Sequence, residues 1–248
     1  MNISQLSAIA KIISSNPTEV KALMKLISVD VLKALGDGKY SILLNDKTLT
    51  AQSQKQLTAG ASYWTQISQT KSDIPQLSNM LKMPQLLKNL QNTPLQYNIR
   101  ELQNLLNNPK PQNIVKTQLL EQLSTVSSKE EFTNTSNLLL SLQNQTMTIP
   151  FNYNGIFSIL QYKKRYNKKS KKTFIDFYAA LESLGPVSGL ILLEDTHVSI
   201  ELNVGYEKTK QFLEANMDFL GYKLMITTTK NIEPIFEPNQ NSILDICI

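Results

Sequence analysis

Few side chains in this sequence have the types and spacing that chemistry needs. The one histidine, His197, sits on the polar side of an alternating run and could serve as a general base. The one cysteine, Cys247, has nothing near it in sequence to lower its pKa and reads as a small apolar residue. Glu182, Glu194 and Asp195 could pair for acid–base work, but such a pair also needs a pocket. Turn and rim solubility is the simpler reading of these carboxylates, and a solvent-facing strand position is the simpler reading of His197. No Cys/His set has metal-ligand spacing, and neither a phosphate loop nor a dinucleotide fingerprint occurs. The expectation is a protein that is no enzyme and uses no cofactor and no metal.

The strongest local signal is charge. Between Lys163 and Lys172, "KKRYNKKSKK" carries seven cations: Lys163, Lys164, Arg165, Lys168, Lys169, Lys171 and Lys172. The chain holds 25 Lys and Arg against 20 Asp and Glu, a net +5, so the +7 of this run leaves −2 for everything else. A general nucleic-acid binder spreads its basic charge along a face. Period-two apolar segments flank the run, so it reads as a solvated hairpin loop that could engage an acidic partner, ahead of a nucleic-acid site. Tyr166 within it could stack on a base, which is weak support on its own.

The elements that must carry these residues follow from periodicity. Ile3, Leu6, Ile9, Ala10 and Ile13 have helical spacing, and Asn16-Pro17 breaks the run. Thr18 can cap a second helix whose stripe is Val20, Leu23, Met24, Ile27, Val31 and Leu35, stopped by Gly36-Asp37-Gly38. Strands follow at 40–44, 48–52 and 63–67, a small β-meander, with Tyr63 and Trp64 expected to divide between core and solvent. Residues 74–145 contain five prolines and short Leu-rich segments. Leu95, Ile99, Leu102, Leu105 and Leu106 share a face, and Ser128 and Glu131 have capping-box spacing. From Thr148 the period is two again. Strands are expected at 156–163, 173–179, 190–193 and 198–204, then a helix through Phe212, Leu213, Met217 and Leu220 ended by Gly221, then a strand over 222–227.

The fold class is therefore α+β: N-terminal helices with a small β-meander over 1–70, a Leu/Asn/Gln-rich helical or linker region over 71–147, and an antiparallel sheet with one helix, β-β-β-β-α-β, over 148–248. The segment 242–248 is apolar and alternating, an edge strand or a docking tail. The first twenty residues have no basic and long apolar signal-peptide regions, and no apolar run approaches ~18 residues, so neither a cleaved leader nor membrane insertion is expected. A single cysteine fits a reducing compartment.

Residues 181–224, "LESLGPVSGLILLEDTHVSIELNVGYEKTKQFLEANMDFLGYKL", resemble the C-terminal domain of the flagellar hook-length control protein family. Leu184, Gly185 and Val187 match its Leu-Gly-x-Val element, and Phe212, Leu213 and Leu220 match the helix's apolar positions. The likeness extends over about 150–228, as a short, divergent member. It implies a non-enzymatic assembly protein, cytoplasmic at the flagellar base or exported through the flagellar type III apparatus. Its partners would be the export gate or motor proteins, and its task the control of hook length or substrate switching. A structural part of the motor or of a related secretion machine is the alternative, and nucleic-acid binding through 163–172 the less favoured one.

Overall fold

The computed structural model describes residues 26–44, 46–68, 74, 76–153, 155–194, 197–217 and 223–238. The helix expected over 3–15, the cap at Thr18, Leu220, Gly221, the tail 242–248 and Cys247 lie outside them.

The first described element corrects an expectation. Leu26–Gly36 is a strand, β1, and not the end of a helix. Ile27, Val31 and Leu35 are four apart, and a spacing of four satisfies period two as well as period 3.6. Gly36-Asp37-Gly38 is likewise a strand-to-strand turn. Gly36 pairs with Lys39, and Asp37 (φ 51°) and Gly38 (φ 67°) are both left-handed, the geometry an Asp-Gly hairpin demands. β2 (Lys39–Leu44), β3 (Lys47–Ser53) and β4 (Ser62–Ser68) follow near their expected places. A fifth strand, β5 (Gln76–Lys82), lies where helix or linker was expected, so the unit runs past residue 70. β1 pairs with β2 and β4, β5 pairs with β4, and a short parallel β3–β5 contact closes a barrel of order β1-β2-β3-β5-β4. Val29, Val31, Tyr40, Ile42, Ala51, Leu57, Tyr63, Leu77 and Met80 fill it.

Four helices come next. They are α1 (Gln85–Asn89), α2 (Ile99–Asn107), α3 (Pro111–Thr125) and α4 (Lys129–Gln143). A complete capping box starts α2, between Asn98 and Glu101. At α4 Ser128 accepts from the Glu131 N–H, but the Glu131 carboxylate reaches back to the Ser127 N–H instead of closing the expected box.

The second sheet has seven strands: β6 (Tyr97–Asn98), β7 (Met147–Tyr153), β8 (Ile156–Asn167), β9 (Lys172–Leu181), β10 (Gly185–Glu194), β11 (His197–Val204) and β12 (Lys223–Thr228). Their order is β12-β11-β10-β9-β8-β7-β6. The expected β-β-β-β-α-β series is present as β8 to β12, with α5 (Glu207–Ala215) before the last strand. The sheet is not wholly antiparallel, however. β12 runs parallel to β11, because the intervening α5 carries the chain back to the starting end, and β6 runs parallel to β7.

Barrel, helices and sheet share one core. Leu26, Trp64 and Leu81 of the barrel join Leu86, Leu90, Leu102, Leu106, Leu119 and Leu138 of the helices and the sheet residues Ile159, Ile191 and Val204. Tyr63 and Trp64 are therefore both buried. Tyr63 points into the barrel, and Trp64 points out of it into this common core. The expected division between core and solvent fails because a second unit covers the barrel's outer side.

The extended segment 229–238 straps these parts together. Thr229 N–H donates to the Val204 carbonyl, and Lys230 Nζ donates to Asn79 Oδ1 of β5. Gln161, fully buried on β8, grips the Phe236 backbone at both ends: Nε2 donates to its carbonyl at 2.7 Å and Oε1 accepts from its N–H at 3.2 Å. Glu237 accepts from the N–H groups of Gln85 and Leu86, capping α1 where Pro84 offers no side chain to do so. Gln161→Ala removes three hydrogen bonds, the third to Thr148 Oγ1, and leaves the Phe236 backbone N–H and C=O unpaired at a half-buried position. The expected loss is about 2 kcal/mol of unfolding free energy, read from urea denaturation, with Gln161→Glu no rescue.

Candidate functional site

β8 and β9 build the basic hairpin. Their ladder runs from Ser158↔Leu181 to Asn167↔Lys172, and 168–171 form the turn. Asn167 Oδ1 accepts from the N–H groups of Lys169 and Ser170, and Lys171 takes a left-handed φ of 55° to rejoin the strand. Lys164, Arg165, Lys168, Lys169 and Lys171 are exposed, while Lys163 and Lys172 are half-buried. All seven expected cations are thus brought to one end of one hairpin.

They are not equivalent. Arg165 forks onto Asp176 of β9, with Nη2–Oδ1 at 2.6 Å, and its guanidinium lies 5.8 Å from the centroid of the Phe174 ring. The hydrogen bond to Asp176 pushes the Arg165 pKa above its ordinary value. Lys163 Nζ donates to the Asn144 carbonyl at the end of α4. Arg165 and Lys163 are therefore partly spent on holding the hairpin. Tyr166 is 59 % exposed on the opposite face from Arg165.

The hairpin outruns its neighbour on one side. β7 pairs with β8 only as far as Met147↔Tyr162, and the chain before β7 turns back to α4 through Thr146 N–H to the Ser141 carbonyl. From Lys164 to Asn167 the outer side of β8 has no strand beside it among the described residues.

Leu184, Gly185 and Val187 sit elsewhere, at the β9–β10 turn and the joint with the barrel. Leu184 and Val187 are buried, and the Leu184 carbonyl accepts from Thr209 Oγ1 of α5 at 2.7 Å. Gly185 has φ +78°, and a Cβ there would meet the Tyr206 ring at 2.7 Å and Leu26 of β1 at 3.4 Å. Gly205, on the neighbouring segment, leaves room in the same way for Leu81 of β5. This element is architecture: it seats the barrel on the sheet. Sequence reasoning missed Gly189, whose Cβ would strike the Glu201 carbonyl and the Phe177 ring, and only the isolated glycine inside an apolar strand hinted at it.

Of the groups considered for chemistry, the two whose side chains are described, Glu182 and His197, lie at opposite ends of β10. His197 is exposed at the start of β11, and Glu182 lies in the β9–β10 turn. Asp195 and the side chain of Glu194 lie outside what is described. Among the described residues no group of three or more His, Cys, Asp or Glu could hold a metal ion. Burial pushes the phenols of Tyr162, Tyr178 and Tyr206 up, and that of Tyr97 to about 12, so these hydroxyls stay protonated and inert. No helix among the described residues is long and apolar enough to cross a membrane.

The barrel has the strand order and parallel β3–β5 closure of an oligonucleotide- and oligosaccharide-binding barrel, whose ligands lie on strands 2 and 3. Here alternation places Lys39, Ser41, Leu43, Thr48, Thr50 and Gln52 on the outer face of those strands. None is aromatic, and Tyr40, Tyr63 and Trp64 are all buried.

No curated protein and no solved structure matches the chain. Residues 6–77, less than a third of it, match the family described as the TP0910 S1-like domain, a likeness that agrees with the five-stranded barrel.

Proposed function

We propose that this chain is a non-enzymatic assembly protein of the flagellar hook-length control kind. It acts by protein–protein contact with the export apparatus at the cytoplasmic side of the flagellar base, and it controls hook length or substrate switching. The observation that carries the reading is the β10–β11–α5–β12 order with Leu184, Gly185 and Val187 at its head, where Gly185 has a conformation that requires glycine. Deleting the gene in its flagellated host tests it. Overlong hooks or absent filaments are the expected result, while normal hooks, normal filaments and full motility overturn it. Stable co-purification with isolated basal bodies would instead favour a fixed part of the motor or of a related secretion machine.

The S1-like barrel favours a second reading, nucleic-acid binding assisted by the hairpin. It ranks lower on physical grounds. Single-strand binders stack bases on exposed aromatics, and the barrel's ligand face has none. Among the described residues, the exposed aromatic that the hairpin itself offers is Tyr166.

A further inference from the structure

We propose that the bare outer edge of β8 over Lys164–Asn167 takes an extended, acidic segment of a protein partner as an added strand. The inference rests on the contact role above only in that the occupant is a protein segment. Three observations combine. First, β8 continues past the end of β7, so its backbone N–H and C=O groups on that side have no ladder partner among the described residues to follow Met147↔Tyr162. An edge of this kind is a template for another strand. Second, the edge is held straight from its inner side. Every residue from Lys163 to Asn167 is in register with β9, and the Arg165–Asp176 fork fastens the two strands, so an incoming strand pays no cost for ordering the template. Third, the charge is of one sign. Lys164 on the strand and Lys168, Lys169 and Lys171 in the turn are exposed, and the Asp176 carboxylate nearby is taken by Arg165.

That charge decides the occupant. Lysines on an edge forbid its pairing with a like edge, so a second copy of this hairpin is repelled. A strand with Glu or Asp at alternate positions places carboxylates beside Lys164 and the turn lysines while its backbone completes the ladder. Nucleic acid would satisfy the lysines but leave the strand edge unused.

The test uses the full chain and three probes: a short peptide alternating glutamate and valine, the same peptide with alternate backbone nitrogens methylated, and a single-stranded oligonucleotide of equal charge. The expected result is saturable binding of the acidic peptide, new amide protection at 164–167 by hydrogen exchange, and none at 223–228. Binding weakens about tenfold in the Lys164→Glu/Lys168→Glu variant and about tenfold on methylation. Equal binding of the methylated peptide overturns strand addition. Preference for the oligonucleotide, or protection appearing at β12 instead, overturns it too. Because the readout is a defined peptide, failure here alongside altered hooks in the deletion strain rejects the edge and leaves the assembly role standing.

Discussion

Trp64→Ala lowers the unfolding free energy by about 4 kcal/mol, the loss expected when a wholly buried indole leaves a cavity. Its position makes the effect more than a cavity. Trp64 lies on β4 of the barrel, yet it packs into the core shared with the helices and the sheet. Removing it loosens the seating of one unit on the other, so a single urea transition separates into two. Far-UV circular dichroism is the measurement, because the substitution removes the only tryptophan. Trp64→Phe keeps most of the volume and discards Nε1, a buried N–H with no hydrogen-bond partner among the described residues. It costs far less than the alanine variant, under about 1.5 kcal/mol. A single unshifted transition for Trp64→Ala would mean that barrel and sheet are coupled through other residues.

Gly185→Ala is the second large effect, about 3 kcal/mol. Two terms add. A left-handed φ of +78° costs a residue with a Cβ roughly 1 kcal/mol or more, and the new methyl group meets the Tyr206 ring at 2.7 and 2.8 Å. The terms are separable. In a Tyr206→Ala background the ring is gone, and Gly185→Ala then costs only about 1 kcal/mol, the conformational part. Equal costs in the two backgrounds would remove the steric role of Tyr206. Hook-length control, if this chain performs it, falls with stability in Gly185→Ala, since the residue seats the barrel and touches no solvent-facing surface.

The legible parts of the fold are those in which local pattern and tertiary environment agree. The β8–β9 hairpin and its seven cations, the alternation of β11, and the strand–helix–strand ending could all be read from the residues, because each keeps one period from end to end. β1 could not, since Ile27, Val31 and Leu35 fit either period. β5 was hidden by Asn79, whose φ of 50° inserts a kink. Leu77 and Met80 then face into the barrel three residues apart while Leu81 faces the shared core, and buried residues at intervals of three and one imitate a helix. The burial of Tyr63 together with Trp64 was out of reach for a different reason. Alternation assumes that one face of a strand meets water, and here the second face meets another unit. The bare edge of β8 was equally invisible, because it depends on where β7 stops.

The strap over 229–238 also imposes an order in time. α1 begins at Gln85, but the carboxylate that caps it belongs to Glu237, and the buried carboxamide of Gln161, which already meets Thr148 Oγ1, finds its backbone partner at Phe236. A ribosome delivers the barrel and the helices well before either group. For that interval α1 has no cap and Gln161 has only its bond to Thr148 on the neighbouring strand, so the finished joint waits on contacts distant in sequence, the slow kind to close. Until then, a nascent chain holds its barrel loosely and its basic hairpin within reach of anything acidic nearby.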